Sequence, residues 1–230
     1  MAFSQGEMMK NLLLAASLLL AGFNANAVTV LPGATVDFSF SVPFNPLFGA
    51  FHVEGDSLRF KPTDFVATTT GGIDITNATT PLITVTARPG FVLTELNLFE
   101  QGDYFRIESA PNTTFVGVGG QFIVNNNPVQ INADQGLNNA FSFTSLATGT
   151  PFVTTPWTLS ESVALNSAQS ATVRLENILV AGVMSNFSAA FIEKKLISIG
   201  VVTVPVPAAF WLFATGLLTL VTTRRKAVFN

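Results

Sequence analysis

Cysteine is absent from the 230 residues, so the chain has no disulfide, no thiolate metal ligand and no cysteine nucleophile. Histidine occurs once, as His52. A Ser–His pair would have to use that imidazole. It sits in strand-like Phe51-His52-Val53 with no Gly-x-Ser-x-Gly elbow nearby, so a structural or surface role is the simpler reading. Zinc needs several nitrogen or sulfur ligands, which a lone histidine cannot supply. Charge is scarce as well, at 11% of residues. Between Val28 and Val204 thirteen acidic residues face seven basic ones, a net charge of −6. Phosphate binding needs a clustered basic face, so nucleic acid is not an expected partner. These absences point to a protein that is not an enzyme and carries no cofactor or metal.

What is present is phenylalanine, 22 residues against one tyrosine and two tryptophans, together with abundant Thr, Ser, Asn and Gly. Large rings without a hydroxyl suit a core that must be held by burial alone. Period-two alternation dominates the middle of the chain. Val36, Phe38, Phe40 and Val42 alternate with Asp37, Ser39 and Ser41, which predicts a half-buried strand. Glu54-Gly55-Asp56-Ser57 reads as a hairpin turn. Val92 to Phe99 and Tyr104 to Glu108, separated by Gln101-Gly102-Asp103, read as the clearest hairpin in the chain. Asn125 to Pro128 and Asn132 to Asn139 are loop-like, and two long strands are expected over Ala171 to Val180 and Ala189 to Val201. With no amphipathic helix of length and no repeat, the pattern predicts an all-β fold. The expected architecture is a single antiparallel β-sandwich, the jelly roll being one form of it.

Candidate site residues are few. Glu54 with Asp56, and Glu100 with Asp103 and Glu108, could act as paired carboxylates on a glycosidic bond only if a cleft held them at the right separation. Turn chemistry and solvated strand edges explain the same residues more cheaply. Asn132-Ala133-Asp134-Gln135-Gly136 offers oxygen ligands for calcium but lacks EF-hand spacing and a closing Glu. Gly117-Val118-Gly119-Gly120 falls between strands, so it marks a bulge or a close backbone approach in place of a phosphate loop. A glycan-binding surface would need an aromatic platform, for which Trp157 and Tyr104 are the candidates.

The two ends read as targeting segments. Lys10 precedes the apolar run Leu12 to Phe23, and Ala25-Asn26-Ala27 supplies a small-x-small cleavage site, so residues 1–27 form an expected signal peptide (with Met9 as an alternative start). Residues 28–203 form the body. At the other end, Val204-Pro205-Val206-Pro207-Ala208 leads into an uncharged run and then Arg224-Arg225-Lys226. Ala208 to Val221 is 14 uncharged residues, about 21 Å of helix against a ~30 Å hydrocarbon core. Counting back to Val201 gives 21 residues, interrupted by Pro205 and Pro207. The basic cluster would stay cytoplasmic.

This layout of prolines, apolar helix and basic cluster resembles the PEP-CTERM sorting signal of Gram-negative bacteria. It departs in having Val206 where a glutamate is usual, as signals of the Val-Pro-Leu-Pro-Ala type also do. Leu96 to Tyr104, Gly117 to Gln121 and Ala190 to Lys195 also look like stretches between the signals of some such proteins. The resemblance implies secretion by the general export machinery and a transient inner-membrane anchor with its helix at about 207–223. It further implies cutting by an exosortase and release to the surface or exopolysaccharide matrix. The body would then be a structural matrix protein or, alternatively, a carbohydrate-binding module; a glycan-active enzyme is the remaining reading.

Overall fold

A computed structural model describes residues 27–133, 137–149, 151–206, 213, 215 and 216. Fourteen strands fall among them, in two seven-stranded sheets. The first sheet has the order β1 (Thr29–Pro32), β2 (Val36–Phe40), β7 (Ile83–Ala87), β13 (Ser170–Val183), β9 (Thr114–Val124) and β10 (Asn127–Asn132). Strand β6 (Gly72–Thr79) pairs with the second half of β13. The second sheet has the order β11 (Phe141–Ser142), β8 (Phe91–Glu108), β14 (Ala189–Pro205), β4 (Ser57–Lys61) and β3 (Ala50–Glu54). Strand β12 (Thr155–Ala168) pairs with β8, and β5 (Val66–Thr69) pairs with β14. Every pairing is antiparallel except the two-residue contact of β11 with β8. Among the described residues, helix occurs as a 3-10 turn at Pro46–Phe48, one short helix, α1 (Phe143–Ala147), and the helical positions Phe213, Thr215 and Gly216. The all-β expectation holds.

Alternation explains the layers. Val36, Phe38 and Phe40 of β2 are buried while Asp37 and Ser39 are half-buried, as the sequence period predicts, although Val42 lies beyond the strand and is exposed. Buried residues of both sheets merge into one core that includes Phe38, Phe48, Phe60, Phe65 and Phe122. Phe40, Phe44, Phe51 and Phe60 make a run of tilted and edge-on contacts with centroids 4.5–6.2 Å apart, geometry that adds to simple burial.

The turn at Gly55 forms as expected, with φ of 61° at Gly55. Asn125 and Asn126 take φ of 49° and 64°, making a two-residue turn between β9 and β10 where the sequence suggested a longer loop. Asparagine tolerates this left-handed conformation better than most residues.

Two sequence expectations need correction, and one strand is new. The hairpin at Gln101-Gly102-Asp103 does not exist: β8 runs unbroken through it for 18 residues. Gly102 lies opposite both Trp157 and Lys194. A Cβ there would stand 2.8 Å from Trp157 Cε2 and overlap the Glu193 carbonyl. The glycine supplies space, not a bend. Strand β12 is an element beyond those expected from the sequence, and Trp157 and Leu159 point inward from it. Finally, β14 continues to Pro205, so residues 201–205 belong to the sheet and cannot also lengthen a membrane helix. No helix among the described residues is long and apolar enough to cross a membrane. The expected helix at about 207–223, the basic cluster and Ala25 lie outside the described residues except for positions 213, 215 and 216.

Candidate functional site

The residues singled out from the sequence do not converge. Trp157 and Tyr104 are each only 2% exposed. The Trp157 indole N–H donates to the Glu193 carbonyl at 3.1 Å, and the Tyr104 hydroxyl accepts from the Asn139 N–H at 3.3 Å. Both rings are core, so neither can serve as a platform for a sugar. Burial follows from their position: both sit on the inward phase of their strands, which the sequence pattern around them already carried.

The carboxylates scatter as well. Glu100 points into the core while Asp103, three residues along a strand and so of opposite phase, points out and pairs with Lys195. Asp103 and Glu193 together raise the Lys195 pKa. Glu54 pairs with Arg59 at 2.6 Å on the exposed β3–β4 hairpin. Asp56 is structural: its carboxylate accepts from the Thr35 N–H at 2.7 Å and the Thr35 hydroxyl at 2.6 Å. His52 is exposed on the outermost strand of its sheet. Asp134 to Gly136 lie outside the described residues, and no group of three or more metal-ligating side chains occurs among those described.

The polar cluster that the sequence did not reveal is Glu100, Lys194 and Asn177. The Lys194 ammonium donates to Glu100 Oε2 and, at 2.8 Å, to Asn177 Oδ1. The Asn177 amide closes the ring by donating to Glu100 Oε1 at 2.8 Å. Lys194 and Glu100 come from one sheet and Asn177 from the other, so the triad ties the layers together. A register shift between Lys194 and Leu196 lets Lys194 and Ile197, an odd step apart, both face inward. The Trp157 and Phe65 rings lie 5.5 and 5.7 Å from the ammonium. Burial lowers the Lys194 pKa, opposed by the Glu100 charge and hydrogen bond. All its strong partners are internal, so the triad holds structure and offers nothing to a substrate.

A cleft of about 610 Å³ opens beside Arg106, Glu108, Thr114 and Leu137. Arg106 is fully engaged there: Nε donates to the Thr114 hydroxyl, Nη1 to the Leu137 carbonyl, and Nη2 to Glu108 and the Thr114 carbonyl. Burial would raise the Glu108 pKa, but the Thr114 hydroxyl and N–H and the Arg106 guanidinium outweigh it and hold that carboxyl below its ordinary value. Arg106, Glu108 and Thr114 in its walls thus bond one another.

Different chemistry lies on the outward face of the β8–β14 sheet. Ser160, Phe99, Ser198, Arg59 and His52 are successive register partners across β12, β8, β14, β4 and β3. Their neighbours along each central strand, Leu98, Glu100, Ile197, Ile199, Leu58 and Phe60, are buried, so this row faces away from the core. Beside it a shallow groove of about 450 Å³ is lined by Asn97, Leu98, Phe99, Ser160, Glu161 and Ser162. The row therefore presents the Phe99 ring between two hydroxyls, with Arg59 and His52 further along, and the groove adds the Asn97 amide.

The motif residues Val204 and Pro205 are the last rungs of β14, opposite Val92 and Phe91, and Val206 follows directly. Ala27 is exposed just before β1. Pro207, Ala208, Arg224, Arg225 and Lys226 lie outside the described residues. No protein family, curated protein or solved structure matches this chain.

Proposed function

We infer that the chain is an exported, non-catalytic β-sandwich of the cell surface or exopolysaccharide matrix. Its C-terminal signal is read by an exosortase-type membrane peptidase after passage through the general export machinery. The observation that carries this reading is where the described strands lie along the chain. Strands run from Thr29 to Pro205, and the expected signal-peptide and sorting segments lie at or outside those limits. Two seven-stranded sheets sharing one core support the sandwich, and their fourteen strands exceed the eight of a jelly roll. The inward-facing carboxylate and the saturated arginine support a structural body over a glycan-active enzyme. Intact mass of the protein from its native host tests the sorting: the expected species begins near Val28 and lacks everything beyond about Pro207. A species retaining Asn230 would sink the reading.

The groove on the outward face favours a second reading, glycan contact by the sheet itself. Stacking on Phe99 with hydrogen bonds from Asn97 and Ser162 suits a polysaccharide chain, with groove dimensions in the usual range for small-molecule sites. Phe99→Ala should abolish retention on the host's exopolysaccharide while leaving the fold intact. Unchanged retention removes this reading and leaves the purely structural one. Trp157→Ala cannot serve this purpose, because it would empty the core.

A further inference from the structure

We propose that the sorting motif is held shut in the sheet and that the peptidase reads it only after the last rungs of β14 peel from β8. This rests on the sorting reading above. Thr203, Val204 and Pro205 pair in register with Leu93, Val92 and Phe91, and the Val206 N–H donates to the Gly90 carbonyl at 2.8 Å. Antiparallel ladders alternate hydrogen-bonded and non-bonded pairs. Since Val206 bonds to Gly90, Val204 occupies a bonded position and Pro205 the non-bonded one between them. The missing Pro205 donor therefore faces away from β8, on the side where pairing with β4 covers only Ile197–Gly200. Proline at this position costs the ladder nothing, so the motif can be both a sheet end and a recognition sequence.

Peeling has a built-in limit. The Thr203 hydroxyl donates to Thr35 Oγ1 at 2.8 Å, because the Thr35 hydroxyl is already committed to Asp56. The Val201 N–H bonds to the Asp56 carbonyl at 3.0 Å. This clamp fixes the strand immediately before the motif, so the opening unit is Val204 to Val206. Peptidases and other strand-binding proteins take an extended segment by pairing with its backbone. The backbone of this segment is already paired, and only Val206 and Pro207 separate the last rung from the apolar run at Ala208. No slack exists for the motif to reach a membrane-embedded groove while the rungs stay closed. End rungs open more readily than a sheet interior, and the peptidase would capture that open state. Val92, opposite Val204, therefore helps set the processing rate although it is no part of the motif.

The lack of any native cysteine allows a clean test by pulse-chase in the native host, following precursor and product by mass. A V92C/V204C variant places a disulfide across a rung whose spacing fits one. A second variant inserts Gly-Ser-Gly-Ser between Thr203 and Val204, moving the intact motif off the sheet. The expected results are that the oxidised V92C/V204C precursor accumulates and is cut after reduction. The inserted chain should be converted at least about tenfold faster than wild type, the ratio that corresponds to ~1.4 kcal/mol. Equal rates for oxidised and reduced forms, or an insertion no faster than wild type, overturn the proposal. If V204C itself damages recognition, the insertion decides alone. A wild-type chain that is never shortened refutes the sorting reading instead, which keeps the two failures distinct.

Discussion

Glu100–Lys194 and Glu54–Arg59 are both a carboxylate with a cation on neighbouring strands of one sheet, and they do opposite things. The first pair is 0% exposed on both sides, the second 60% and 41%. The buried pair had to be stripped of water, and its cost is met only because Asn177 from the other sheet bonds both partners. The exposed pair keeps its water and loses little if broken. Arg106–Glu108 lies between them, with side chains 8% and 12% exposed. Burial, not the presence of opposite charges, ranks the three.

The ranking is most sharply tested at its buried end. Lys194→Met leaves Glu100 and Asn177 facing each other without a cation in a dry core. Urea unfolding should show a loss of ~3–5 kcal/mol, the usual result of orphaning a buried charge. The triple variant Glu100→Leu, Asn177→Leu, Lys194→Met should recover most of that loss. If Lys194→Met stays within about 1 kcal/mol of wild type, water reaches the triad and the comparison fails.

Gly102 and Lys194 show how far the sequence could be read. Turn chemistry located the β3–β4 hairpin, β13 and β14 were legible as long strands, and alternation located Phe38 and Phe40, because one side of their strand faces water. It failed wherever a residue's reason lay across space. Gly102 looks like a turn residue until the Trp157 ring and the Glu193 carbonyl are seen to occupy the place of its missing side chain. Glu193-Lys194-Lys195 looks like a solvated charge run. A register shift is what turns its middle member inward, and no local pattern announces that shift. Trp157 and Tyr104 are the candidates for an aromatic platform, yet residue type says nothing about phase, and phase puts both inside. The groove beside Phe99 is not legible in the sequence because its members come from separate strands.

The middle pair adds a pH axis. Glu108 has its pKa lowered in the folded protein, so it contributes stability above the ordinary carboxylate value of 4.5 and loses it as pH falls through the lower folded value. Unfolding free energy should therefore decline progressively below about pH 4.5, and Glu108→Gln should flatten that decline. The substitution itself should cost ~1–3 kcal/mol at neutral pH, because Arg106 and the Thr114 hydroxyl lose a charged acceptor. An unaltered acid limb in Glu108→Gln would assign acid sensitivity to other carboxylates.

The smallest effect is expected at Arg59. Its ion pair with Glu54 is solvated, and its Nε is buried without a hydrogen-bond partner. Removing the side chain thus discards a weak attraction together with an unsatisfied donor, two terms of opposite sign. Arg59→Ala should change stability by less than ~1 kcal/mol, and moderate salt should erase most of the difference from wild type. Arg59 also stands in the outward row with Phe99, so the same variant separates stability from binding. If retention on exopolysaccharide falls while the unfolding curve does not move, the exposed charge serves the face of the sheet. A stability loss approaching that of Lys194→Met would mean that the hairpin holds the Phe40–Phe44–Phe51–Phe60 ring contacts in place through this arginine.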